Sequence, residues 1–343
     1  MMHKPTARLV DVARAAGVSL STASRALADP ALVQPQTRVR VDEAARILGY
    51  VPHGAARALA SRRSRTVGVV VPTLDNPIFA NSAQALQRAL AAVDYTMLLA
   101  SHEYDPRTEF KVTLALVERG VDGLVFVGTD HSPELYQFLA RSGIPFELTW
   151  AIDPDRHHYC IGFSNRLGAI RITRHLLELG HREFALVSGH TAYNDRARER
   201  AAGVREALAA HGLALPPHRY VETAFSIASG RAALAQILAH KRRPTAIACG
   251  NDLLAFGALL ECAARGIAVP RQISVTGFDD IEFAAEVAPP LTTIHIPTAD
   301  IGRRAAERLL ARLEGKRVAR VEEAPVDLVV RGSTGPRPST RAK

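Results

Sequence analysis

The chain has 343 residues, of which 47% are hydrophobic and 22% are charged, and its formal net charge is +9. This composition is typical of a globular protein with room for more than one domain, and it excludes an intrinsically disordered chain. No run approaches the ~18 apolar residues of a membrane span, and the N-terminus lacks the apolar segment of an export signal, so we expect a cytoplasmic protein without a membrane partner.

The first predicted elements are two short helices joined by a tight turn, in the stretch "DVARAAGVSLSTASRAL". Val12, Ala15 and Ala16 recur at helical spacing, Gly17 suits a left-handed cap, and Ser19 suits the N-cap of the second helix. The second helix leaves outward the side chains Leu20, Ser21, Thr22, Ser24 and Arg25. Such side chains reach base edges and phosphates, which indicates a helix-turn-helix, although a small helical hairpin without a DNA role has the same pattern.

Positive charge is concentrated at the N-terminus. Residues 1–65 hold eleven Lys or Arg and four acidic residues, so a net +7 lies in under a fifth of the chain. A positive terminal module is the electrostatic footprint of nucleic-acid binding. Readers of single strands and of RNA stack bases on aromatic rings, but Tyr50 is the one aromatic residue here, which favours a reader of duplex DNA.

A third helix is predicted in "QPQTRVRVDEAARILGY", with Pro35 in its first turn and Gly49 after its end. Its expected packing face consists of Val39, Val41, Ala44, Ala45 and Leu48. Residues 53–61 offer about two more helical turns, but this segment contains Gly54 and is too short to be stable alone. We expect it to become helical only when a partner orders it.

The runs "LVDVARAAGVSLSTASRAL" and "TRVRVDEAARILGYVPHGAARALAS" resemble the headpiece and hinge of the lac repressor family of bacterial transcription regulators. The resemblance implies that the second helix enters the major groove, with Leu20, Ser21 and Arg25 at base-reading positions. It also implies that the hinge helix enters the minor groove, where Leu59 wedges into a base step and Ala56 lies against the groove floor. A simple packing role for Leu59 remains the alternative.

Downstream, apolar strand-like runs alternate with helical stretches. The predicted strands are residues 66–72, 95–101, 122–128, 144–150, 160–164, 183–189, 246–250 and 274–280. The predicted helices are residues 77–93, 106–120, 165–179, 195–211 and 251–265. This alternation indicates an α/β fold with doubly wound parallel sheets, and a closed barrel is the structural alternative. The resemblance favours two lobes of the periplasmic-binding-protein type.

The resulting domain plan has a headpiece, a hinge with linker, a two-lobed effector-binding and dimerisation domain, and a disordered tail, at residues 1–52, 53–65, 66–331 and 332–343. Lobe 1 is expected at about residues 66–163 and 294–323, and lobe 2 at about 164–293 and 324–331. The tail has two prolines and no heptads, so we expect a homodimer without a tetramerising coiled coil.

Polar and aromatic residues gather where the predicted strands end, which is where doubly wound sheets bind ligands. The expected interlobe cleft is lined by Asn194, Asp195, Arg200, Asn251, Asp252 and Asp279, with Phe79, Phe163 and Phe225 as apolar walls. In the family that the chain resembles, the positions matching Phe163, Arg200, Phe225, Asn251 and Asp279 are effector contacts. Such groups bind paired hydroxyls and stack on sugar rings, while a structural role stays open for each, above all a helix cap at Asp252.

One position departs from the family pattern. Trp150 stands at the end of the fourth strand, where an acidic residue is usual in the family. An indole stacks and donates one N–H but carries no charge, so a cleft that keeps Arg200 favours an anionic effector such as a sugar acid. Asp153 or Asp155 on the following loop could replace the missing carboxylate.

Nothing in the sequence indicates catalysis. Cys160, Cys249 and Cys262 lack metal-type spacing, His157 and His158 lack a third ligand, and Walker, G-x-S-x-G and H-E-x-x-H motifs are absent. We therefore expect no enzyme activity, cofactor or metal. The prediction is a repressor that binds a pseudo-palindromic duplex operator under control of a sugar or sugar acid. A transport binding protein would need an export signal, and an architectural DNA-binding protein would not explain the cleft.

Overall fold

A computed structural model describes residues 7–28, 32–51 and 63–339 of the chain. They form two compact units, one ending at Thr66 and one beginning at Val67. The predicted hinge helix, with Ala56 and Leu59, lies outside the described residues. Within the described ranges, no helix has both the length and the apolar character needed to cross a bilayer.

The N-terminal unit contains the helices α1 (Leu9–Ala15), α2 (Leu20–Ala28) and α3 (Pro35–Leu48). Gly17 adopts the expected left-handed conformation with φ of +64°. The Ser19 hydroxyl accepts a hydrogen bond from the amide of Thr22 at 3.1 Å, so Ser19 caps α2 as predicted. The helices enclose a core of small side chains, which are Val12, Ala13, Ala16, Ala23, Ala26, Val41, Ala44 and Ala45.

Three residues expected in that core lie outside it. Val39 is 62% exposed, Leu48 is 39% exposed, and Ala15 also faces solvent. Residues two apart on a helix point in different directions, so Val39 cannot share the packing face of Val41. Ala15 is likewise two residues from the buried Ala13 and faces another side of α1, whereas Leu48 is the last residue of α3.

The C-terminal unit alternates strands and helices, as predicted. Its first half contains β1 (Thr66–Val71), α4 (Pro77–Ala91), β2 (Thr96–Ser101), α5 (Pro106–Glu118), β3 (Gly123–Val127), α6 (Pro133–Ser142), β4 (Phe146–Thr149) and β5 (Cys160–Gly162). Its second half contains α7 (Asn165–Glu178), β6 (Phe184–Gly189), α8 (Asp195–Ala209), β7 (Tyr220–Thr223), α9 (Ile227–Leu238), β8 (Ala246–Cys249), α10 (Asp252–Ala264) and β9 (Ser274–Thr276). The chain ends with β10 (Thr293–His295), α11 (Thr298–Leu313), β11 (Val321–Glu323) and β12 (Asp327–Val329).

These strands form two open sheets, one in each lobe. The six strands of lobe 1 are ordered β11-β5-β4-β3-β1-β2, and the four strands of lobe 2 are ordered β7-β6-β8-β9. The strands β10 and β12 form a short antiparallel pair. β10 precedes α11, and β12 follows β11 of the lobe 1 sheet. The predicted α/β fold with two doubly wound lobes is therefore confirmed, and the barrel alternative is wrong.

Central strands are buried along their whole length because helices cover the sheets. Every residue of β3 (GLVFV), β6 (FALVSG) and β8 (AIAC) is buried. Helix α4 packs on α11, α7 on α8, and α9 on α10. This arrangement brings the carboxyl ends of β1, β3 and β4 opposite the carboxyl ends of β6 and β8.

The segment after residue 331, expected to be disordered, is ordered against lobe 2 as far as the structure describes it. The amide of Val275 donates to the Ser333 carbonyl at 2.9 Å, and the ring of the buried His181 lies 3.0 Å from the Gly335 carbonyl oxygen. Ser333 is fully buried. The prediction from composition was wrong because β9 is an edge strand whose backbone groups pair with this polar segment.

Candidate functional site

Helix α2 presents the predicted DNA-reading side chains on one surface of the N-terminal unit. Leu20 is 52% exposed, while Ala23 and Ala26 on the opposite face are buried. Four further predicted residues share the outer surface, with Thr22 half-buried and the others exposed: Ser21, Thr22, Ser24 and Arg25. The hydroxyls of Ser21 and Thr22 lie 2.9 Å and 2.8 Å from that of Ser19, so the N-terminal cap orients them.

The cleft between the lobes contains a small cavity, here called the inner chamber, at the carboxyl ends of the strands. It is lined by Asn76, Ile78, Phe79, Tyr104, Trp150, Asn194, Arg196, Ala197, Arg200, Phe225, Asn251 and Asp279. Seven of the nine predicted effector residues lie here, whereas Phe163 and Asp195 do not. The free space is about 20 Å³, enough for one water molecule.

Two larger cavities flank the inner chamber. The front chamber, of about 380 Å³, is lined by Thr73, Asp75, Glu103, Tyr104, His190, Asn194, Thr223, Ala224 and Phe225. The rear chamber, of about 610 Å³, contains Phe163 and Asp195 among its lining residues. Tyr104, Asn194 and Phe225 line both the inner and the front chamber, so the front chamber adjoins the inner one.

The Arg200 guanidinium contacts four residues at and around the inner chamber. Its Nε donates to Oδ1 of Asn165 at 2.8 Å, and its Nη1 donates to the Gly250 carbonyl at 2.7 Å. The same Nη1 lies 3.1 Å from Oδ1 of Asp279, and the guanidinium carbon lies 3.8 Å from the centroid of the Phe278 ring. Burial lowers the pKa of Arg200, with Asp279 opposing the shift. The guanidinium is therefore held in one orientation before any ligand arrives.

Two buried polar atoms of the inner chamber have no hydrogen-bonding partner among the described residues. They are Nδ2 of Asn251 and Oδ1 of Asp279, whose ion pair with Arg200 lacks hydrogen-bond alignment. The other side of the Asn251 amide is fixed, because its oxygen caps α10 by accepting from the Leu254 amide at 3.0 Å. Asn251 thus needs an acceptor and Asp279 a donor, and a ligand hydroxyl supplies either.

Asp252, predicted to line the cleft or to cap a helix, does neither. Its two carboxylate oxygens accept from the Thr293 hydroxyl at 2.6 Å and from the Ile281 amide at 2.9 Å. Burial raises the pKa of Asp252 well above its usual range. This side chain joins α10 to the segment that crosses between the lobes.

Trp150 forms an aromatic wall at the end of β4. Its ring lies 5.1 Å from the Phe79 ring and 6.2 Å from the Phe163 ring, both edge to face. Its backbone has φ of +72°, in the left-handed region that large side chains rarely adopt, and its carbonyl accepts from Asn165 Nδ2 at 2.9 Å. Phe163 therefore supports Trp150 from behind instead of facing the inner chamber.

Asp153 and Asp155, which could replace the missing carboxylate, both lie away from the inner chamber. The carboxylate of Asp153 accepts from the Asp155 and His158 amides of its own loop, at 3.2 Å and 2.8 Å. Asp155 is exposed, and neither residue lines the inner chamber. Trp150 thus leaves this side of the chamber without a charge.

Sequence reasoning missed Tyr104 and Arg196 as lining residues. Tyr104 follows the carboxyl end of β2, a position that is itself a signal for cleft residues. Arg196 lies four residues before Arg200 on α8, so both side chains project from one face of the helix. That spacing was available in the sequence.

The described residues contain no cluster of three side chains suited to a metal ion. Cys160, Cys249 and Cys262 are buried free thiols, and burial raises the pKa of each.

Asp279 gives the cleft a pH-dependent stability. Burial raises the pKa of Asp279 to about 6, with Arg200 opposing the shift. Because this value lies above the ordinary 3.8, the favourable contribution of Asp279 is complete below about pH 4 and is lost as the pH rises through 6. Asn at this position does not titrate. As the pH rises from 4 to 7, we therefore expect the difference in the free energy of unfolding between Asp279→Asn and the parent to shift in favour of the variant by about 1–3 kcal/mol. Urea unfolding of both proteins across this range measures the difference, and a constant difference would contradict the assignment.

Comparisons with known proteins agree with this geometry. Residues 8–53 match bacterial regulatory proteins of the lacI family, and residues 173–334 match a periplasmic binding protein-like domain. The chain is 34% identical over 332 residues to the HTH-type transcriptional repressor PurR of Aliivibrio fischeri (strain MJ11), covering 95% of this chain and 98% of that protein.

Two solved structures are also similar. The lac repressor dimer bound to operator and the anti-inducer ONPF has a TM-score of 0.85 and 28% identity, covering 97% of this chain and 100% of that one. The transcriptional regulator CelR in complex with cellobiose has a TM-score of 0.70 and 29% identity, covering 95% and 99%. With a reading helix in one unit, a two-lobed cleft in the other and relatives matched over nearly their whole length, the chain belongs to the lacI family of bacterial transcription regulators.

Proposed function

We propose that the protein is a repressor that binds a pseudo-palindromic operator as a homodimer and is controlled by a sugar or sugar acid in the inner chamber. The observation that carries the effector class is the pair of unsatisfied buried atoms, Nδ2 of Asn251 and Oδ1 of Asp279. A polyol supplies the acceptor and the donor that these two atoms need. No catalytic role is proposed.

The walls of the inner chamber support the same class of ligand. Phe79, Trp150 and Phe225 offer aromatic surfaces for the C–H side of a sugar ring. Arg196 and Arg200 contribute two guanidinium groups, paired with the carboxylates of Asp195 and Asp279, and an acid group on the ligand competes with these carboxylates for them. The similar regulator CelR was solved in complex with cellobiose, which supports a sugar as the class of effector.

Effector binding has to change the arrangement of the lobes or of their side chains. The inner chamber has room for about one water molecule, so a sugar ring enters only if the lobes or the side chains of the chamber move. A ligand that prefers one arrangement by about 1–3 kcal/mol shifts the population between them. The linker leads directly into β1 of lobe 1, so we propose that lobe spacing sets the distance between two hinge segments in a dimer.

Assembly and DNA reading are proposed from the relatives and from α2. The lac repressor structure is a dimer on its operator, and two headpieces related by a two-fold axis read two half-sites. Light scattering on the purified chain tests the dimer. A tetramer that depends on residues after 331 would contradict it.

Arg25→Ala tests the reading helix. Arg25 is exposed on α2, where a bidentate contact to a guanine is worth about 1–3 kcal/mol. We expect the variant to lose that much affinity for the operator and to change little on random DNA. The matched control is Arg46→Ala, which removes the same charge from the exposed side of α3, where Arg46 pairs with Glu43, and should leave the ratio of operator to random-DNA affinity unchanged. An equal loss on operator and random DNA for Arg25→Ala would remove it from the base contacts.

The function as a whole is tested by two measurements on the full chain. Selection from a random duplex library should return one pseudo-palindrome, whereas uniform binding would indicate an architectural protein. A thermal-shift screen of hexoses, their aldonic acids and nucleobases should then raise the melting temperature with a polyol. Stabilisation by a nucleobase alone would overturn the effector class and leave the regulator intact.

A further inference from the structure

We propose that Asp195 and Arg196 are positioning residues that lock the two lobes together by binding Thr129 and the Val127 carbonyl across the cleft, where Gly128 leaves room for them. Asp195, Arg196 and the segment 127–129 are called the latch. The inference deepens the proposed function, and for its consequence it depends on that function: the latch sets how readily the effector cleft opens. Asp195, predicted to contact the effector, has its carboxylate engaged by the other lobe instead.

The contacts of the latch run from the first turn of α8 in lobe 2 to the loop after β3 in lobe 1. Oδ2 of Asp195 accepts from the Thr129 amide at 2.7 Å and from the Thr129 hydroxyl at 2.8 Å. Nη1 of Arg196 donates to Oδ1 of Asp195 at 2.7 Å and to the Val127 carbonyl at 3.2 Å. Asp195 and Arg196 are 6% and 7% exposed, so these charge-assisted bonds are shielded from water.

The close approach of the lobes depends on a glycine. Gly128 has φ of +93°, and a Cβ built on it would overlap the guanidinium of Arg196 and lie 2.8 Å from Oδ1 of Asp195. A side chain there would displace the Arg196 guanidinium from Asp195 and from the Val127 carbonyl. These latch contacts therefore need both the backbone freedom and the missing side chain of Gly128.

Each half of the latch is rigid within its own lobe. In lobe 1 the Tyr136 hydroxyl donates to the Thr129 carbonyl at 2.7 Å, and the Gly128 amide donates to the Thr149 carbonyl at 2.8 Å. In lobe 2, Asn194 caps α8 by accepting from the Ala197 amide at 3.3 Å, which fixes the turn that carries Asp195. Two preformed halves lose little conformational freedom on meeting, which favours closure.

The latch adjoins the effector site through Arg196. The Arg196 side chain lines both the inner and the rear chamber, so a ligand that engages it competes with Asp195 and the Val127 carbonyl. Burial acts to raise the pKa of Asp195, but Arg196 and the Thr129 donors outweigh it and hold that pKa below its usual value. Asp195 therefore stays ionised at neutral pH, and the latch responds to ligand contacts on Arg196.

The test is amide hydrogen exchange on the full chain without ligand or DNA. The amide of Thr129 is protected while the lobes are latched, so its peptide reports opening directly. We expect Gly128→Ala and Thr129→Val to speed exchange of the peptide that contains residues 123–131 by about tenfold or more. Exchange in the buried strands β6 and β8 should stay unchanged, which shows that the fold is intact.

The matched control is Gly143→Ala. Gly143 also has a left-handed backbone, with φ of +65°, but a Cβ there meets nothing within 4 Å. This variant introduces the same kind of backbone strain in lobe 1 without obstructing the lobes, so exchange near Thr129 should not change. If Gly128→Ala and Thr129→Val also leave that exchange unchanged, the latch is refuted. No ligand is used, so this outcome is independent of the proposed effector.

Discussion

Operator binding by Arg200→Ala is expected to lose its entire response to the effector, whereas affinity without effector stays close to that of the parent. In the parent, a coupling of about 1–3 kcal/mol corresponds to a change of operator affinity of roughly 5- to 150-fold. Arg200 holds Asn165, Gly250 and Asp279 around the inner chamber, so its removal takes away both a ligand contact and the orientation of the others. The measurement is fluorescence anisotropy of labelled operator with and without the effector found in the screen.

Two further variants make this result interpretable. Asp279→Asn keeps the shape of the side chain but loses its charge, and it should also abolish the response. Arg205 lies on the same helix but outside the inner chamber, with its guanidinium carbon 4.3 Å from the centroid of the Tyr220 ring. Arg205→Ala should therefore keep the full response. Trp150→Ala should change which ligands act. A full response in the Arg200 and Asp279 variants would show that the effector binds elsewhere.

Arg308→Ala should cause a large loss of stability in lobe 1. Glu147 on β4 is completely buried, and its Oε1 accepts from Nε of Arg308 at 2.6 Å. Arg312 supports the other carboxylate oxygen at 3.2 Å. Removing one partner of a buried ion pair typically costs about 3–5 kcal/mol, and in this variant Arg312 alone would compensate the Glu147 carboxylate. Chemical unfolding of the variant and the parent at pH 8 measures this loss.

The pH dependence of that loss separates a charge effect from a packing effect. Burial raises the pKa of Glu147 despite its two arginines, and losing Arg308 should raise it further. A protonated Glu147 needs no cationic partner, so the variant should recover part of its stability between pH 8 and 5. Arg303→Ala, on the same helix but in an exposed ion-pair cluster, should have little effect at either pH. An equal loss for Arg308→Ala at both pH values would assign it to packing.

Local patterns predicted the three N-terminal helices and most elements of the C-terminal unit because local chemistry determines them, whereas α6, α9, α11 and β7 were not among the predicted ranges. Ser19 caps α2 and Gly17 turns the chain, since both depend only on neighbouring residues. The buried central strands are continuous apolar runs, which sequence alone reveals. By contrast, β10 and β12 have three residues each and form only by pairing with each other, more than thirty residues apart in the chain.

The sequence predicted which residues lie near the cleft, but not which of them face a ligand and which bind the opposite lobe. Strand ends identify the residues that approach the cleft, and seven of the nine predicted residues reach the inner chamber. Whether a side chain at a strand end faces a ligand or the opposite lobe depends on the angle between the lobes, which no local pattern encodes. Asp195 follows the capping Asn194 by one residue, and that single step directs its carboxylate to Thr129.

The segment that covers β9 has a consequence for how molecules of this protein meet one another. Ser333 and Gly335 occupy the backbone and hydroxyl groups of Ser274 and Val275, and Thr276 is bridged to Thr292. Strands from neighbouring molecules therefore cannot pair with β9, the edge strand of the lobe 2 sheet. Pairing between exposed edge strands is a common start of aggregation. Residues 333–335 thus protect the edge strand β9 from pairing with other molecules. A protein that lacked this segment would expose β9 and is expected to aggregate more readily.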